Sequence, residues 1–98
     1  MAATPLTDAQ LESFLAAHPG WALTGGMLCR TFEAETFLRG IDFVNRVARI
    51  AEVADHHPDI DIRWRKVTLR LITHDAGNRV TEKDTSLAAE CSLLFAAL

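Results

Sequence analysis

The longest periodic stretch of the sequence, residues 35–55, most restricts how this chain can fold. Its apolar residues recur at steps of four and three, the spacing of one face of an α-helix: Phe37, Ile41, Val44, Ala48 and Ala51. Pro58 follows, and the residue before a proline is pushed out of the helical region. The pattern predicts a long amphipathic helix that must bury its apolar face against another layer of structure.

Segments with the alternating pattern of β-strands lie on both sides of this helix. Residues 21–23 and 27–32 flank a glycine turn at 24–26, which suits a hairpin. Residues 60–64 and 66–71 alternate apolar and polar side chains, and they predict a second hairpin with a tight turn near Arg65. Continuing that alternation places His74 on the face opposite Leu69 and Leu71, so we expect it to lie outside the core.

Two shorter helices complete the predicted order of elements. Thr7 and Gln10 have the spacing of a capping box before a helix over about 8–17, and Thr81 and Asp84 can cap a last helix. The order is then α-β-β-α-β-β-α. Short hairpin links favour antiparallel pairing, so the predicted class is α+β, with a four-stranded antiparallel sheet and three helices packed on one face.

The size, composition and charge of the chain limit the classes of protein it can be. With 98 residues, 49% of them hydrophobic and 23% charged, we expect one folded domain over 1–98. A net charge of −3 without a basic run argues against nucleic acid as a direct partner. No apolar stretch suits a membrane span and the N-terminus lacks a signal-peptide pattern, so we expect a cytoplasmic protein.

The cysteines and tryptophans are expected to have structural roles. Cys29 and Cys91 show no CxxC spacing, which favours reduced and buried thiols over a redox motif or a zinc site. Trp21 and Trp64 are expected to pack in the core or at its rim.

Three of the four histidines fall between positions 56 and 74. His56 and His57 are adjacent at the end of the predicted helix, and His74 follows the last predicted strand. Because imidazole exchanges protons near neutral pH, this grouping predicts acid–base chemistry on a small molecule. Asp55 and Asp75 stand beside the histidines and would add negative charge. A polar surface at a helix end, the alternative, would explain each histidine taken singly.

Metal binding is the rival interpretation of the histidines, since imidazole is a common zinc ligand. Adjacent histidines on a helical backbone seldom reach one ion, and neither HExxH nor a cysteine spacing is present, so we expect no metal. Asp84 is also open to two interpretations. At the third position of its helix it can act as a capping carboxylate, or it can take part in a site with the histidines.

The ordered motif of Glu52, His56-His57-Pro58, Trp64, His74 and Asp84 resembles that of the pterin-4a-carbinolamine dehydratases. The likeness extends over roughly residues 6–97 and is strongest in the runs 54–58, 73–77 and 81–84. It implies the same α-β-β-α-β-β-α fold. Asn78 departs from the pattern, since the family often has a second glycine there, and the stretch from His74 to Asp84 is longer than usual.

The resemblance implies a lyase that dehydrates 4a-hydroxytetrahydrobiopterin to the quinonoid dihydropterin in tetrahydropterin recycling, without a cofactor. It implies that His56, His57 and His74 are catalytic and that they line the pterin pocket with Asp55, Thr73 and Asp75. Glu52 and Asp84 match supporting positions. Which histidine is acid and which is base stays open; the hypothesis is that His56 and His74 exchange protons and His57 holds the ring.

The resemblance also implies partners. Relatives of this fold serve as a dimerisation cofactor of a transcription factor or as assembly chaperones of a carbon-fixing enzyme, so a non-catalytic binding role is the alternative function. Family members associate, and we expect a homodimer or homotetramer. A pterin is the expected small-molecule partner, and neither nucleic acid nor a membrane is expected as a direct one.

Overall fold

The computed structural model describes residues 3–98, and its elements follow the predicted order α-β-β-α-β-β-α. The helices are α1 (Asp8–Ala17), α2 (Phe37–Ala54) and α3 (Glu82–Ala96). The strands are β1 (Ala22–Thr24), β2 (Met27–Glu33), β3 (Asp59–Arg63) and β4 (Lys66–Leu71), and a short 3₁₀ turn, His74–Ala76, precedes α3. Across residues 3–98 no helix has the length and apolar character needed to cross a bilayer.

The four strands form one antiparallel sheet in the order β1-β2-β4-β3. In the central pair, Leu28 lies opposite Leu71 and Phe32 opposite Val67, so these apolar side chains share one face. On the other face Thr31 and Thr68 lie opposite each other, with their hydroxyl oxygens 2.8 Å apart. The α+β class predicted from the sequence is confirmed, and the sheet has one apolar face that needs a cover.

Aromatic side chains join the sheet to its helical cover. Phe43 of α2 and Phe95 of α3 both meet Phe32 of β2, with ring centroids 4.8 and 5.0 Å from it. Phe43 and Phe95 also contact each other in an edge-to-face arrangement at 5.1 Å. Such pairs add about 0.5–1.5 kcal/mol beyond the area they bury. The cluster fixes α2 and α3 on the same face of the sheet.

Helix α2 confirms the predicted amphipathic helix but ends earlier than Pro58 requires. Its last residue is Ala54, and Asp55 adopts the left-handed conformation with φ 50°. The backbone N–H of His56 then donates to the carbonyl of Ala51 at 3.1 Å. Because this reversal at Asp55 stops the helix, His56 and His57 lie beyond the helix end and not on its last turn.

The prediction that the tryptophans pack in the core or at its rim holds for Trp21 but is wrong for Trp64. Trp21 is buried, at 4% exposed, and its indole N–H donates to the Ser92 hydroxyl at 2.9 Å. Trp64 occupies the β3–β4 turn with φ 55° and is 69% exposed, with the Arg65 guanidinium 4.3 Å from its ring centroid. The predicted tight turn is confirmed, but its backbone carries Trp64 away from the core.

The two free cysteines differ in how deeply they are buried. Cys91 on α3 is fully buried, whereas Cys29 on β2 is only half-buried, so the prediction of buried thiols is met by Cys91 alone. Burial, together with the nearby Glu90 carboxylate, raises the pKa of the Cys91 thiol from 9.0 to about 12. Cys91 therefore stays a neutral, apolar component of the core at physiological pH.

We expect Cys91 to make stability fall at alkaline pH. Above its ordinary pKa the thiol ionises in the unfolded chain but stays protonated in the folded one, so the folded state loses stability as pH rises toward the folded pKa. Between about pH 9 and 12 the free energy of unfolding should fall by about 1.4 kcal/mol per pH unit more in wild type than in Cys91→Ala. Urea unfolding of both proteins at several pH values measures this difference, and parallel pH dependences would contradict it.

Candidate active site

A buried carboxylate, Asp84, organises the most buried polar cluster of the structure. Asp84 is 0% exposed and lies in the first turn of α3. Its Oδ2 accepts the backbone N–H of Thr81 at 2.9 Å and the hydroxyl of Thr73 at 2.8 Å, and its Oδ1 is 2.5 Å from Nε2 of His56. These four residues are called the Asp84 network below. Its carboxylate has a donor from each partner, as a buried charge requires.

The two threonine hydroxyls of the Asp84 network have a defined direction. Thr73 donates its single hydroxyl proton to Asp84, and its Oγ1 is 2.7 Å from Oγ1 of Thr81. Thr81 must therefore donate to Thr73, while its own oxygen accepts the backbone N–H of Lys83 at 3.2 Å. Each hydroxyl is fixed by the next, and the chain of donors holds the Asp84 carboxylate in one orientation.

Asp84 also sets which nitrogen of His56 carries a proton. An ionised carboxylate only accepts hydrogen bonds, so the His56 nitrogen that faces it, Nε2, is the N–H donor. The His56 side chain is 11% exposed, and its Nδ1 is the nitrogen left for a ligand. The capping box of Thr81 and Asp84 is confirmed, and the same carboxylate contacts a histidine that precedes it by 28 positions.

His57 has a different environment from His56 although the two are adjacent. Its Nε2 is 2.6 Å from Oε1 of Glu52, and the two side chains are 57% and 79% exposed. Glu52 belongs to the last turn of α2, and the chain reversal after the helix brings His57 back to it. A contact as exposed as this one competes with water and contributes little to stability.

His74 is exposed, as predicted, and lies in the 3₁₀ turn between β4 and α3. Its Nδ1 is 2.9 Å from Oδ1 of Asn78. The preceding residue, Thr73, is 1% exposed and belongs to the Asp84 network. The exposed imidazole of His74 is therefore attached to a rigid, buried neighbour.

The fold brings some of the predicted site residues together and separates others. Thr73, next to His74, and His56 meet on the two oxygens of Asp84. His56 lines a cleft of about 570 Å³ beside Lys83 and α1, whereas His57 lines a different cleft of about 470 Å³. His74 lines neither cleft, and among residues 3–98 no three His, Cys, Asp or Glu side chains form a group that could hold a metal ion.

The acidic residues of the predicted site also differ in their burial. Asp84 is buried within the network, while Glu52, Asp55 and Asp75 are exposed. Two further residues, Thr81 and Asn78, contact the predicted site although the sequence motif does not single them out as site residues. Thr81 was identified only as a helix cap, and Asn78 only as a departure from the family pattern.

Comparison of the sequence with models of known protein families identifies the family of this chain. The family model for pterin 4 alpha carbinolamine dehydratase matches residues 4–94. The chain belongs to this family. The resemblance drawn from the histidine motif is thereby confirmed, and the predicted fold is that of the dehydratase family.

Two relatives are similar to this chain over most of its length. A protein of Mycolicibacterium smegmatis is 50% identical over 90 residues, which cover 92% of this chain and 95% of that protein. A protein of Roseiflexus sp. is 52% identical over 88 residues, covering 90% of this chain and 94% of that protein. Both are named provisionally as pterin-4-alpha-carbinolamine dehydratases.

Solved structures show the same fold. A protein of Brucella melitensis described as a transcriptional coactivator/pterin dehydratase superposes with a TM-score of 0.88 at 29% identity, covering 93% of this chain and 98% of its own. A pterin dehydratase-like protein described as a RuBisCO assembly factor in the alpha-carboxysome superposes with a TM-score of 0.67 at 23% identity, covering 80% of this chain and 92% of its own. The second likeness shows the fold alone.

We expect Thr73→Val to destabilise the protein although valine has nearly the same shape as threonine. The substitution removes the hydroxyl donor of the buried Asp84 and leaves Thr81 without its acceptor, which should lower the free energy of unfolding by about 1–3 kcal/mol. Thr73→Ser retains the hydroxyl and is the matched control. Urea denaturation compares the two, and equal stability of Thr73→Val and wild type would show that the network does not hold Asp84.

Proposed function

We propose that this family member dehydrates a 4a-hydroxytetrahydropterin to the quinonoid dihydropterin and water by histidine acid–base catalysis. The observation that carries the proposal is the 2.5 Å contact between His56 and the buried Asp84. It fixes one nitrogen of His56 and leaves the other for substrate. The same carboxylate binds Thr73, so the segment that carries His74 is anchored to it as well.

The reaction requires one proton donor and one proton acceptor. The C4a–O bond breaks more easily when an acid protonates the departing hydroxyl, which then leaves as water. The N5 lone pair forms the N5–C4a double bond, and a base removes the proton from N5. The substrate supplies the electrons itself, so two imidazoles in opposite protonation states are sufficient for the chemistry.

The partners of the histidines suggest how they divide this work. An imidazolium at position 56 has its positive charge balanced by the buried Asp84 carboxylate, which suits a proton donor that acts through Nδ1. His74 has the neutral amide of Asn78 as its partner, which suits a base. His57, paired with Glu52 on the surface, is then left to hold the pterin ring.

Carboxylates near the histidines suit recognition of the pterin. The ring carries an amino group and ring N–H groups, which are hydrogen-bond donors, and carboxylates accept from such donors. Asp55 and Asp75 are exposed and stand next to His56 and His74 in the chain. Thr73 takes a different role, because its buried hydroxyl is already donated to Asp84, and it supports the site through the network.

A non-catalytic binding role on the same fold is the second candidate. It is suggested by the Brucella melitensis relative, whose description includes both coactivator and dehydratase. A binding role would not require an ordered imidazole, whereas the His56 ring is held by a network of residues from distant parts of the sequence. The expected homodimer or homotetramer, the single domain over 1–98 and the cytoplasmic location stay predictions.

We expect the purified protein to accelerate the loss of 4a-hydroxypterin absorbance. His56→Ala and His74→Ala should each lower kcat/KM by roughly 100-fold or more, because a positioned acid or base contributes about that much. His18→Ala is the matched control, since that imidazole stacks on Phe14 and its Nδ1 bonds the Phe14 carbonyl within α1. It should retain wild-type activity.

The same assay separates the two candidate functions. A double His56→Ala, His74→Ala protein as active as wild type would reject histidine catalysis. An inactive wild type that instead captures one stoichiometric protein partner, equally well with both histidines replaced, would favour the binding role.

A further inference from the structure

Asn78 contacts His74 through both its backbone and its side chain. Its backbone N–H donates to the His74 carbonyl at 3.3 Å, which closes the turn. Its side-chain oxygen, Oδ1, lies 2.9 Å from Nδ1 of the His74 ring. The two contacts come from opposite ends of one residue and hold both the backbone and the imidazole of His74.

The backbone of Asn78 is in a conformation that favours glycine. Gly77 and Asn78 are consecutive left-handed residues, with φ 73° and 56°. Glycine adopts this conformation without steric cost, and asparagine is among the few other residues that tolerate it. The backbone alone therefore does not require a side chain at position 78, and the side chain that is present reaches the His74 ring.

We propose that Asn78 is a positioning residue that fixes the His74 ring and its proton. With the amide oxygen facing Nδ1, the neutral ring carries its proton on Nδ1, and Nε2 is the unprotonated nitrogen. This inference rests on the proposed function and deepens it, because it names Nε2 of His74 as the atom that accepts the substrate proton.

The arrangement at His74 is the reverse of that at His56. The Asp84 carboxylate holds the His56 proton on Nε2, so His56 offers Nδ1 to a ligand, whereas His74 offers Nε2. The partners also differ in charge, since an amide adds no negative charge beside the ring. Both His74 and Asn78 are exposed, so their bond competes with water, and its effect is that of one neutral hydrogen bond.

Nitrogen NMR of the histidine rings tests the assignment without any substrate. In ¹⁵N-labelled wild type at alkaline pH, the His74 signals should show a protonated Nδ1 and an unprotonated Nε2. Asn78→Gly, which suits the left-handed backbone, should lose that preference, while Asn78→Asp keeps an acceptor and should retain it. Arg79→Ala, a change at the next residue of the same loop, is the matched control and should match wild type, and His56 should be unchanged in all four proteins.

Kinetics supply the second readout. Asn78→Gly should lower kcat by roughly three- to tenfold, the worth of one neutral hydrogen bond, with little change in KM and no loss of thermal stability. Asn78→Asp should restore most of that activity.

The spectra decide the proposal whether or not the protein is a dehydratase. A proton on Nε2 of His74 in wild type, or the same tautomer in Asn78→Gly as in wild type, overturns it. A wild type without dehydratase activity that still shows the expected tautomers would reject the proposed function and support the positioning by Asn78.

Discussion

The Asp84 carboxylate lies where water cannot reach it, so the protein must supply every hydrogen bond that its charge requires. The donors come from three separate segments: His56 beyond the C-cap of α2, Thr73 before the 3₁₀ turn and Thr81 at the N-cap of α3. A buried charge that lost one of these donors would be strongly destabilised. The carboxylate that caps the start of α3 therefore also binds the segments that follow α2 and β4. One of these segments carries His56 and the other carries His74.

Much of the fold follows from local patterns in the sequence. The periodicity of residues 35–55 and the alternation on either side of Arg65 place α2, β3 and β4, and the capping boxes at Thr7 and Thr81 place the starts of α1 and α3. The stretch 35–55 also predicted the end of α2 close to Ala54, but it did not predict the left-handed conformation of Asp55, which carries His56 and His57 off the helix. Trp64 was misplaced for a related reason, since the positive φ in its turn exposes a side chain usually found inside.

The candidate site could be predicted only in part from the sequence. The histidines and Asp84 stand out by residue type and by the family motif, but the partners of each imidazole depend on contacts between distant segments. His56 has a buried carboxylate, His57 an exposed one and His74 a neutral amide. No sequence spacing distinguishes these environments. The adjacent His56 and His57, which follow the end of α2, even lie in different clefts.

The measurement that tests the central claim most directly is kcat/KM for Asp84→Asn, with thermal unfolding measured alongside. The amide oxygen can still accept from Thr81 and Thr73, but the NH₂ group would then face Nε2 of His56 and force the ring into the opposite tautomer. Activity should fall by roughly 100-fold or more while the protein stays folded, as for the loss of a positioned acid. A folded Asp84→Asn protein with activity within about twofold of wild type would contradict the claim that Asp84 holds His56 for catalysis.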